Sequence, residues 1–357
     1  MLSFGKGGTG GNIFSLLQRK GFPPRAKLYI LNIYMKQKII QVVGPTASGK
    51  TAFSVELAKL CGAEIVNVDS MQVYKDLAVG SDKPSAAERE TVRFFGLDLI
   101  ELGPPMDAAR FADYADACIA DIAQRGKIPM LSGGTGLYHR CIVRGILDAP
   151  SRDDAWRAAL RAERDIVGQD AIYARLENID PDLAANIMPS DWVRIERGLE
   201  YYALTGKLLS VAQKEHGFMQ PRYDVLSFGV WRPREERYEK INSRLDEMWK
   251  SGLLEETQIL LDAKLDLEEL PLKALGYKQA ACYLLGNCSH DEALERAKRE
   301  TRRFAKRQMT WFRSDKAVHW LRMPLDGGQF ETLATQVQKF MAGEDFDLSI
   351  LPIWVDA

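Results

Sequence analysis

The sequence predicts an α/β protein, with a parallel sheet covered by helices on both faces and a helical insertion domain. Three short β-branched runs, at residues 38–43, 63–68 and 128–131, alternate with segments of helical period. Apolar runs of this length are typical of strands buried on both faces, and their alternation with helices indicates a parallel sheet. After about Gly145 helical patterns follow one another without a strand until residues 225–231, which predicts the insertion.

Start and stop signals accompany most of these elements. The first strand, KIIQVV, ends at Gly44, and the second, AEIVNV, ends at Asp69. Gly62, Gly126 and Gly206 end three of the helices, because glycine readily adopts the backbone of a helix C-terminus. The predicted helices cover residues 51–60, 110–124, 153–167, 171–176, 191–204, 237–250, 253–263 and 290–313.

The composition is that of an ordinary globular protein. Of 357 residues, 46% are hydrophobic and 27% are charged, and the formal net charge of −1 leaves any nucleic-acid binding to local basic patches. The five cysteines form no C-x-x-C pair, which argues against a disulfide framework or a zinc site and favours a reducing cytoplasm. No apolar run reaches the roughly 18 residues of a membrane span, so we expect no membrane partner.

Changes of composition along the chain predict five segments. Met35 opens directly before the first strand, and the Gly-rich start shows no secretory pattern. We therefore expect residues 1–34 to be a disordered extension or a mis-called start. The other predicted segments are the first part of the α/β core at 35–145, a helical insertion at 146–220, the second part of the core at 221–320 with basic C-terminal helices, and a C-terminal tail at 321–357.

A phosphate-binding loop follows the first strand. The segment GPTASGKT fits G-x-x-x-x-G-K-[ST] and lies between a strand and a helix, which is the context that this motif requires. Backbone N–H groups and the helix N-terminus favour an anion there, Lys50 adds a positive charge and Thr51 can hold a magnesium ion. The fold is therefore predicted to be P-loop NTPase-like, although the loop alone does not identify the phosphate compound. Its residues are Gly44, Pro45, Thr46, Ala47, Ser48, Gly49, Lys50 and Thr51.

Two further strand ends should meet this loop, because ligands of open α/β sheets bind beyond the carboxyl ends of the strands. Asp69 ends the second strand, where it can ligate magnesium, accept a proton as a general base, or simply cap the next turn. Gly133 and Gly134 end the third strand, where they bring the backbone close to a ligand or form a plain turn. Thr135 can donate its hydroxyl to a diphosphate oxygen.

Two helix faces can meet a nucleic acid, or can be ordinary solvated surfaces. Residues 296–316 contain nine Lys or Arg and two acidic residues, and the helix at 191–204 contains two arginines spaced along one side. In the first, Arg299, Arg303, Lys306 and Arg313 lie near one face, with Phe304, Trp311 and Phe312 interleaved. In the second, Arg194, Arg197 and Tyr201 lie opposite Trp192, Ile195, Leu199 and Tyr202.

Together these motifs resemble one family, the tRNA dimethylallyltransferases, also called tRNA isopentenyltransferases. The likeness extends from about residue 38 to residue 313, and the ordered set is far more specific than the P-loop alone. The chain lacks the Cys/His spacing of the zinc finger in the family's eukaryotic members, so it resembles the bacterial type. The matching segments are GPTASGKT at 44–51, DSMQVY at 69–74, GGTGLY at 133–138, RGLEYYALTGKLLS at 197–210, GLLEE at 252–256, ALGYKQA at 274–280 and TRRFAKRQMTWFR at 301–313.

The resemblance implies a reaction. The donor would be dimethylallyl diphosphate, and the acceptor would be N6 of adenosine 37 in tRNAs that read codons starting with U. Magnesium would assist, and the P-loop would hold the diphosphate of the donor, although such proteins are often described as nucleotide-binding or ATP-binding. The implied partners are the donor and the tRNA anticodon stem-loop, and we expect a monomer that acts in the cytoplasm.

The resemblance also implies roles for individual residues. Asp69 would be the general base, while Lys50 and Thr135 would stabilise the departing diphosphate. Two candidates for further diphosphate contacts, Arg232 and Arg244, stay unassigned. Acidic Glu196 and apolar Val193 depart from the family's pattern. The implied tRNA-contacting residues are Asp69, Ser70, Met71, Gln72, Thr135, Arg157, Val193, Arg194, Ile195, Glu196, Arg197, Lys273, Gly276, Tyr277 and Lys278.

Three other functions agree with parts of the sequence. A P-loop small-molecule kinase explains the loop and Asp69, but not the basic faces or the later motifs. An adenylate isopentenyltransferase performs the same chemistry on a free nucleotide and would not need the arginine-bearing helix at 191–204. A non-catalytic RNA-binding module does not explain an intact phosphate-binding loop beside a carboxylate.

Overall fold

The computed structural model describes residues 36–351, apart from 104–105, 148, 218–220, 266 and 268–269. It divides the chain into two compact units: unit one joins Met1–Val143 to Arg222–Ala357, and unit two is Arg144–Pro221. The predicted extension at 1–34 lies outside the described residues. Among the described helices, none is long and apolar enough to cross a membrane.

Unit one is built on a sheet of six parallel strands. These are β1 Lys38–Val43, β2 Ala63–Asn67, β3 Phe94–Phe95, β4 Ile128–Gly133, β5 Asp224–Trp231 and β6 Val318–Arg322. Their order is β3-β2-β4-β1-β5-β6, so β1 lies between β4 and β5. The register places Val43 opposite Gly133, and Asn67 opposite Ser132. The loops after β1, β2 and β4 therefore leave the sheet at the same edge.

Helices pack on both faces of this sheet, as the sequence predicts. Successive residues of β1 enter different cores, Ile39 on one face and Ile40 on the other. Phe111 stacks on Tyr138 in the first core, with ring centroids 4.7 Å apart. Burying such a side chain contributes roughly 1.5–3 kcal/mol. The helices of both units are α1 Lys50–Cys61, α2 Ala86–Thr91, α3 Ala108–Gln124, α4 Gly136–Arg144, α5 Asp154–Val167, α6 Gln169–Ile179, α7 Pro181–Ala184, α8 Trp192–Thr205, α9 Leu209–His216, α10 Arg234–Lys250, α11 Leu253–Asp262, α12 Tyr277–Leu284, α13 His290–Arg313 and α14 Gly327–Ala342.

Unit two consists of helices, with α5 to α9 and no strand among its described residues. Its own core includes Leu160, Ile172 and Ile195. Gly198 of α8 is required for close packing, because a side-chain carbon there would lie 2.6 Å from Leu183. The sequence predicts a helical insertion at 146–220, close to the bounds of this unit.

The predicted C-terminal tail after residue 320 is wrong for the described part of that segment. β6 pairs with β5, and α14 packs on α1, where the ring centroid of Phe330 lies 5.6 Å from that of Phe53. Two glycines at the start of α14 obscure the helix in the sequence, but Asp326 and Gln329 form a capping box there. Strand β3 is also not predicted from the sequence, because two residues give no periodicity.

Candidate active site

The loops after β1, β2 and β4 enclose a cleft of about 1220 Å³ in unit one. Lys50, Asp69 and Thr135, predicted from three separate segments of the sequence, all line this cleft. Other lining residues come from α10 and α13, far along the chain. The structure therefore brings the three predicted catalytic residues together at one site.

The phosphate-binding loop has a backbone that depends on its glycines. Gly44 has a φ of 153°, and a side-chain carbon there would lie 2.4 Å from the carbonyl oxygen of Val230. Gly49, with a φ of 94°, immediately precedes α1, and a side-chain carbon there would lie 3.5 Å from the Arg232 guanidinium. The loop thus leads into the N-terminus of α1, where N–H groups and the helix dipole favour an anion.

Lys50 begins α1 and points its ammonium group into the cleft. Its Nζ donates to the carbonyl oxygen of Pro45 at 2.8 Å, and a side-chain carbon on Gly134 would lie 3.8 Å from the same nitrogen. Burial lowers the pKa of Lys50 to about 8, although the carboxylate of Asp69 opposes this effect. A bound anion would favour the charged form and raise this pKa again.

Asp69 both caps a turn and presents a carboxyl group to the cleft. Its Oδ1 accepts hydrogen bonds from the backbone N–H groups of Met71 at 2.9 Å and Gln72 at 3.3 Å. These bonds use Oδ1, so the capping role and the proposed proton transfer are compatible. Burial raises the pKa of Asp69, and the two backbone N–H groups and Lys50 offset this only in part.

Thr135 joins the loop after β4 to the loop after β2. Its Oγ1 accepts from the N–H of Ser70 at 3.1 Å, which leaves its own hydroxyl hydrogen to donate. Gly133 makes this approach possible, because a side-chain carbon there would lie 2.0 Å from the carbonyl oxygen of Val68. The pair Gly133 and Gly134 therefore allows a close approach of the backbone as well as a turn.

Two arginines that the sequence analysis leaves unassigned also line the cleft. Arg244 of α10 donates to the hydroxyl of Thr46 and forms an ion pair with Asp82. Arg232, at the end of β5, lies beside Gly49 and is 3.7 Å from Glu236. The Nε–H groups of both arginines are buried and donate to no protein partner within the described residues. Both side chains can therefore donate further hydrogen bonds to an anion.

The predicted tRNA-contacting residues of unit one divide into exposed and buried ones. Lys273 and Lys278 are exposed, and Ser70 and Met71 are partly exposed in the cleft. Gln72 is largely buried and donates to the carbonyl oxygens of residues 81 and 82 at 2.9 Å. Gly276 and Tyr277 are buried in the structure, and the Tyr277 hydroxyl donates to Glu256 at 2.8 Å. Contacts of these last two residues with tRNA stay a prediction.

Unit two gives a similar division at α8. Val193 and Arg194 are exposed, whereas Ile195 and Glu196 are buried and offer no surface to a tRNA. Glu196 accepts from Arg161 at 2.8 Å and pairs with Arg157 at 3.2 Å, which explains the acidic residue that departs from the family pattern. Their side chains are therefore not available at the surface, and contacts of Ile195 and Glu196 with tRNA stay a prediction.

The predicted faces of α8 also need correction. Tyr201, expected on the side of the arginines that faces away from the core, is buried, whereas Tyr202 is 40% exposed. Arg197 pairs with buried Glu200 at 2.6 Å and donates to the carbonyl oxygen of Pro150 at 3.1 Å. Only Arg194 of the two arginines is largely exposed. The error arises because the helix buries acidic residues, which a hydrophobic pattern cannot reveal.

Helix α13 presents the predicted basic face. Arg299, Arg303 and Lys306 are exposed, whereas Phe312 is buried in the core. Phe304, which is 37% exposed, lines the cleft together with Arg307 and Gln308. Gln308 is not predicted from the sequence, because a single glutamine within a basic run carries no signal.

Comparison with protein families relates this geometry to known proteins. A model described as IPP transferase matches residues 72–315, and a model described as isopentenyl transferase matches residues 37–101. A tRNA dimethylallyltransferase of Geobacter sulfurreducens is 41% identical over 305 residues, which cover 85% of this chain and 97% of that protein. One from Anaeromyxobacter dehalogenans is 45% identical over 303 residues, which cover 85% of this chain and 99% of that protein.

Two solved structures resemble most of the chain. A tRNA isopentenylpyrophosphate transferase from Bacillus halodurans has a TM-score of 0.63 at 35% identity, covering 86% of this chain and 96% of its own. A eukaryotic dimethylallyltransferase acting on tRNA has a TM-score of 0.74 at 27% identity, covering 88% of this chain and 82% of its own. Most of the described fold, including both units, therefore has counterparts of known structure.

Proposed function

The chain belongs to the IPP transferase family of tRNA dimethylallyltransferases, and we propose that it transfers a dimethylallyl group from dimethylallyl diphosphate to N6 of adenosine 37 in tRNAs that read codons starting with U. The products are N6-(dimethylallyl)adenosine and diphosphate. The observation that carries the proposal is the convergence of the phosphate-binding loop, Asp69 and Thr135 on one cleft. This arrangement supplies a leaving-group site and a base within the same space.

The donor half of the reaction depends on stabilising diphosphate as it leaves. The allylic C–O bond breaks with cationic character, because the allyl group delocalises positive charge. Negative charge then develops on the diphosphate, opposite the N–H groups at the start of α1, the ammonium of Lys50 and the hydroxyl of Thr135. Arg232 and Arg244 line the same cleft, and we assign both to the diphosphate.

The acceptor half requires a proton acceptor. The N6 atom of adenine is a poor nucleophile, because its lone pair is conjugated with the ring. As the new C–N bond forms, the carboxylate of Asp69 takes the proton from N6. The raised pKa of Asp69 favours this role, since a more basic carboxylate accepts a proton more readily. The target base must leave the anticodon loop to enter the cleft.

Magnesium would bind at this site mainly through oxygens of the diphosphate substrate. The described residues contain no group of three or more His, Cys, Asp or Glu side chains that could hold a metal ion. Magnesium keeps several waters and commonly binds one or two protein oxygens together with substrate phosphates. Thr51 lines the cleft beside Lys50 and would hold the ion with diphosphate oxygens. When bound, the ion would neutralise charge on the leaving group.

The tRNA would meet exposed basic residues of both units. In unit one these are Lys273, Lys278 and the face of α13, and in unit two they include Arg194. Such contacts bind the phosphate backbone and the shape of the stem-loop more than its sequence. We propose a monomeric enzyme that acts in the cytoplasm, and light scattering of the purified protein tests the monomer.

The function is tested with purified protein, magnesium, labelled dimethylallyl diphosphate and total tRNA. Label should appear in the anticodon loop at adenosine 37, found by nuclease digestion and mass spectrometry, and diphosphate should be released in equal amount. Labelling of free adenosine monophosphate but not tRNA would instead support the adenylate isopentenyltransferase. Phosphate transfer from ATP without any use of the prenyl donor would support the small-molecule kinase.

A further inference from the structure

Gln308 of α13 bridges two of the loops that line the cleft. Its side chain is 8% exposed, and its Oε1 accepts a hydrogen bond from the backbone N–H of Thr46 at 2.9 Å. Its Nε2 donates to the carbonyl oxygen of Gly134, also at 2.9 Å. Thr46 belongs to the phosphate-binding loop after β1, and Gly134 belongs to the loop after β4. One amide therefore holds two loops that no backbone hydrogen bond joins at these positions.

The surroundings of Gln308 show that this bridge is built into the sequence. A side-chain carbon on Gly134 would lie 2.6 Å from Nε2 of Gln308, so glycine is needed for the amide to approach. Thr46 is also held from its other side, because Arg244 donates to its hydroxyl. The phosphate-binding loop is thus fixed by α10 and α13, although neither helix belongs to the P-loop motif.

A primary amide suits this position because it accepts through oxygen and donates through nitrogen. A carboxylate of the same size can accept from Thr46 but cannot donate to the Gly134 carbonyl, and a methionine can do neither. Removing one partner of a buried hydrogen bond leaves the other unsatisfied, so both loops would relax toward new contacts. Reacting groups that shift by even an ångström lose much of their catalytic advantage.

We propose that Gln308 is a positioning residue that sets the separation between the phosphate-binding loop and the Gly134–Thr135 turn, and so holds both halves of the donor site around the diphosphate. The proposal rests on the proposed function, because it assigns that ligand to the cleft. It also links the two substrates, since the exposed side of α13 carries Arg303 and Lys306, which we expect to meet tRNA.

The test compares Gln308→Met and Gln308→Glu with the wild type. The methionine removes both bonds at nearly constant volume and should raise the KM for dimethylallyl diphosphate about tenfold, with the KM for tRNA changed by less than about twofold. The glutamate should be worse for the donor, because its negative charge faces both a carbonyl oxygen and the diphosphate. Calorimetric titration with inorganic diphosphate should show the same order of affinity without requiring turnover.

Gln336→Met is the matched control. Gln336 of α14 is also a buried glutamine, and its Oε1 accepts from the N–H of Asp347 at 2.8 Å, but it does not line the cleft. This variant should lose a similar amount of thermal stability while keeping the wild-type KM for the donor. Unchanged donor KM and diphosphate affinity in Gln308→Met would overturn the positioning role. Inactive wild-type protein would instead contradict the proposed function itself.

Discussion

Lys50 and Asp69 lie in one cleft, and burial shifts the pKa of each in the direction that favours its neutral form. The pKa of Lys50 is lowered to about 8, and that of Asp69 is raised. Folding therefore removes both groups from water before any substrate binds. Bound diphosphate places negative charge beside the Lys50 ammonium and stabilises its charged form. The N6 amino group of the acceptor gives a proton to the Asp69 carboxylate. Lys50 therefore acts on the donor and Asp69 on the acceptor, although their charges also attract each other.

The first prediction is a bell-shaped pH dependence of kcat/KM for the donor at saturating tRNA. Asp69 must be ionised to act as a base, so the rate should rise with pH through its raised pKa, above the ordinary range of a carboxylate. Lys50 must be charged to bind diphosphate, so the rate should fall as pH increases through about 8. Steady-state kinetics over a pH range that extends below the pKa of Asp69 and above the pKa of Lys50 measures both limbs.

Two variants assign the limbs. Asp69→Asn should retain tRNA binding, lose about 100-fold or more of its turnover, and show no acidic limb. Lys50→Arg should move the alkaline limb beyond the measured range, because arginine stays charged at every accessible pH. If Asp69→Asn turns over at nearly the wild-type rate, another group accepts the proton.

The residues that the sequence could predict at this site are those whose neighbours in the chain define them. Lys50 follows a glycine-rich loop, and Asp69 and Thr135 each end a buried strand, so local pattern and sheet geometry place them together. Arg244 and Gln308 reach Thr46 across 198 and 262 residues of sequence. No local pattern carries such a contact, and only the packing of α10 and α13 reveals it.

At the scale of elements, α8 is notable for burying acidic residues rather than apolar ones alone. Glu200 is fully buried, and it accepts hydrogen bonds from the backbone N–H of Asp153 and from the guanidinium groups of Arg157 and Arg197. Burial alone would raise the pKa of Glu200, but these bonds outweigh it and lower the pKa to about 2. The charge network therefore connects α8 to the start of α5 within unit two.

The second prediction is that Glu200→Gln destabilises unit two by about 3 kcal/mol at neutral pH, because it leaves the partly buried Arg157 and Arg197 without their carboxylate. A carboxylate with a lowered pKa stabilises the fold above its unfolded pKa and ceases to do so as it is protonated. The difference from wild type should therefore shrink as the pH falls from roughly 4.5 towards 2. Native-state hydrogen exchange of peptides from α8 measures this local free energy.

Glu163→Gln provides a comparison within the same unit. Glu163 pairs with Arg175, and both side chains are about two-fifths exposed, so solvent already screens the pair. Its loss should change the exchange of unit two very little. Equal effects of the two substitutions would show that burial does not give the Glu200 network its strength.

The elements recovered from the sequence are those with a strong period or a clear cap. β1, β2, β4 and β5 are short runs in which apolar residues predominate, and α13 shows both a long helical period and a capping box at Ser289. β6 escapes notice because its sequence, VHWLR, mixes polar and apolar residues at the edge of the sheet. Its strand character comes from pairing with β5 and not from its own residues.

At the scale of the whole molecule, the chain leaves unit one after Val143 and returns to it at Arg222, and these two points are adjacent. The N–H of Arg222 donates to the carbonyl oxygen of Val143 at 2.6 Å, so the two ends of the insertion meet. The guanidinium of Arg222 also donates to the carbonyl oxygen of Ile142 at 3.2 Å and pairs with Asp116 at 2.5 Å. These contacts all lie within unit one, and they hold together the two chain ends between which the insertion is placed.

The last prediction follows from this closure. Replacing residues 146–220 with a short Gly/Ser linker should leave unit one folded, because the linker joins ends that are already adjacent and a short loop costs little entropy. The shortened protein should bind inorganic diphosphate with an affinity within about threefold of wild type, since the loops after β1, β2 and β4 belong to unit one. It should not modify tRNA, because the proposed gripping surface of unit two is gone.

Circular dichroism and calorimetric titration with diphosphate measure the two expected outcomes, and tRNA labelling measures the third. Lys50→Ala in the shortened protein is the control, and it should abolish the diphosphate signal if that signal comes from the cleft. Full tRNA modification by the shortened protein would show that unit one alone grips the acceptor. A folded protein that no longer binds diphosphate would show that the donor site depends on unit two, which would contradict a cleft formed by unit one alone.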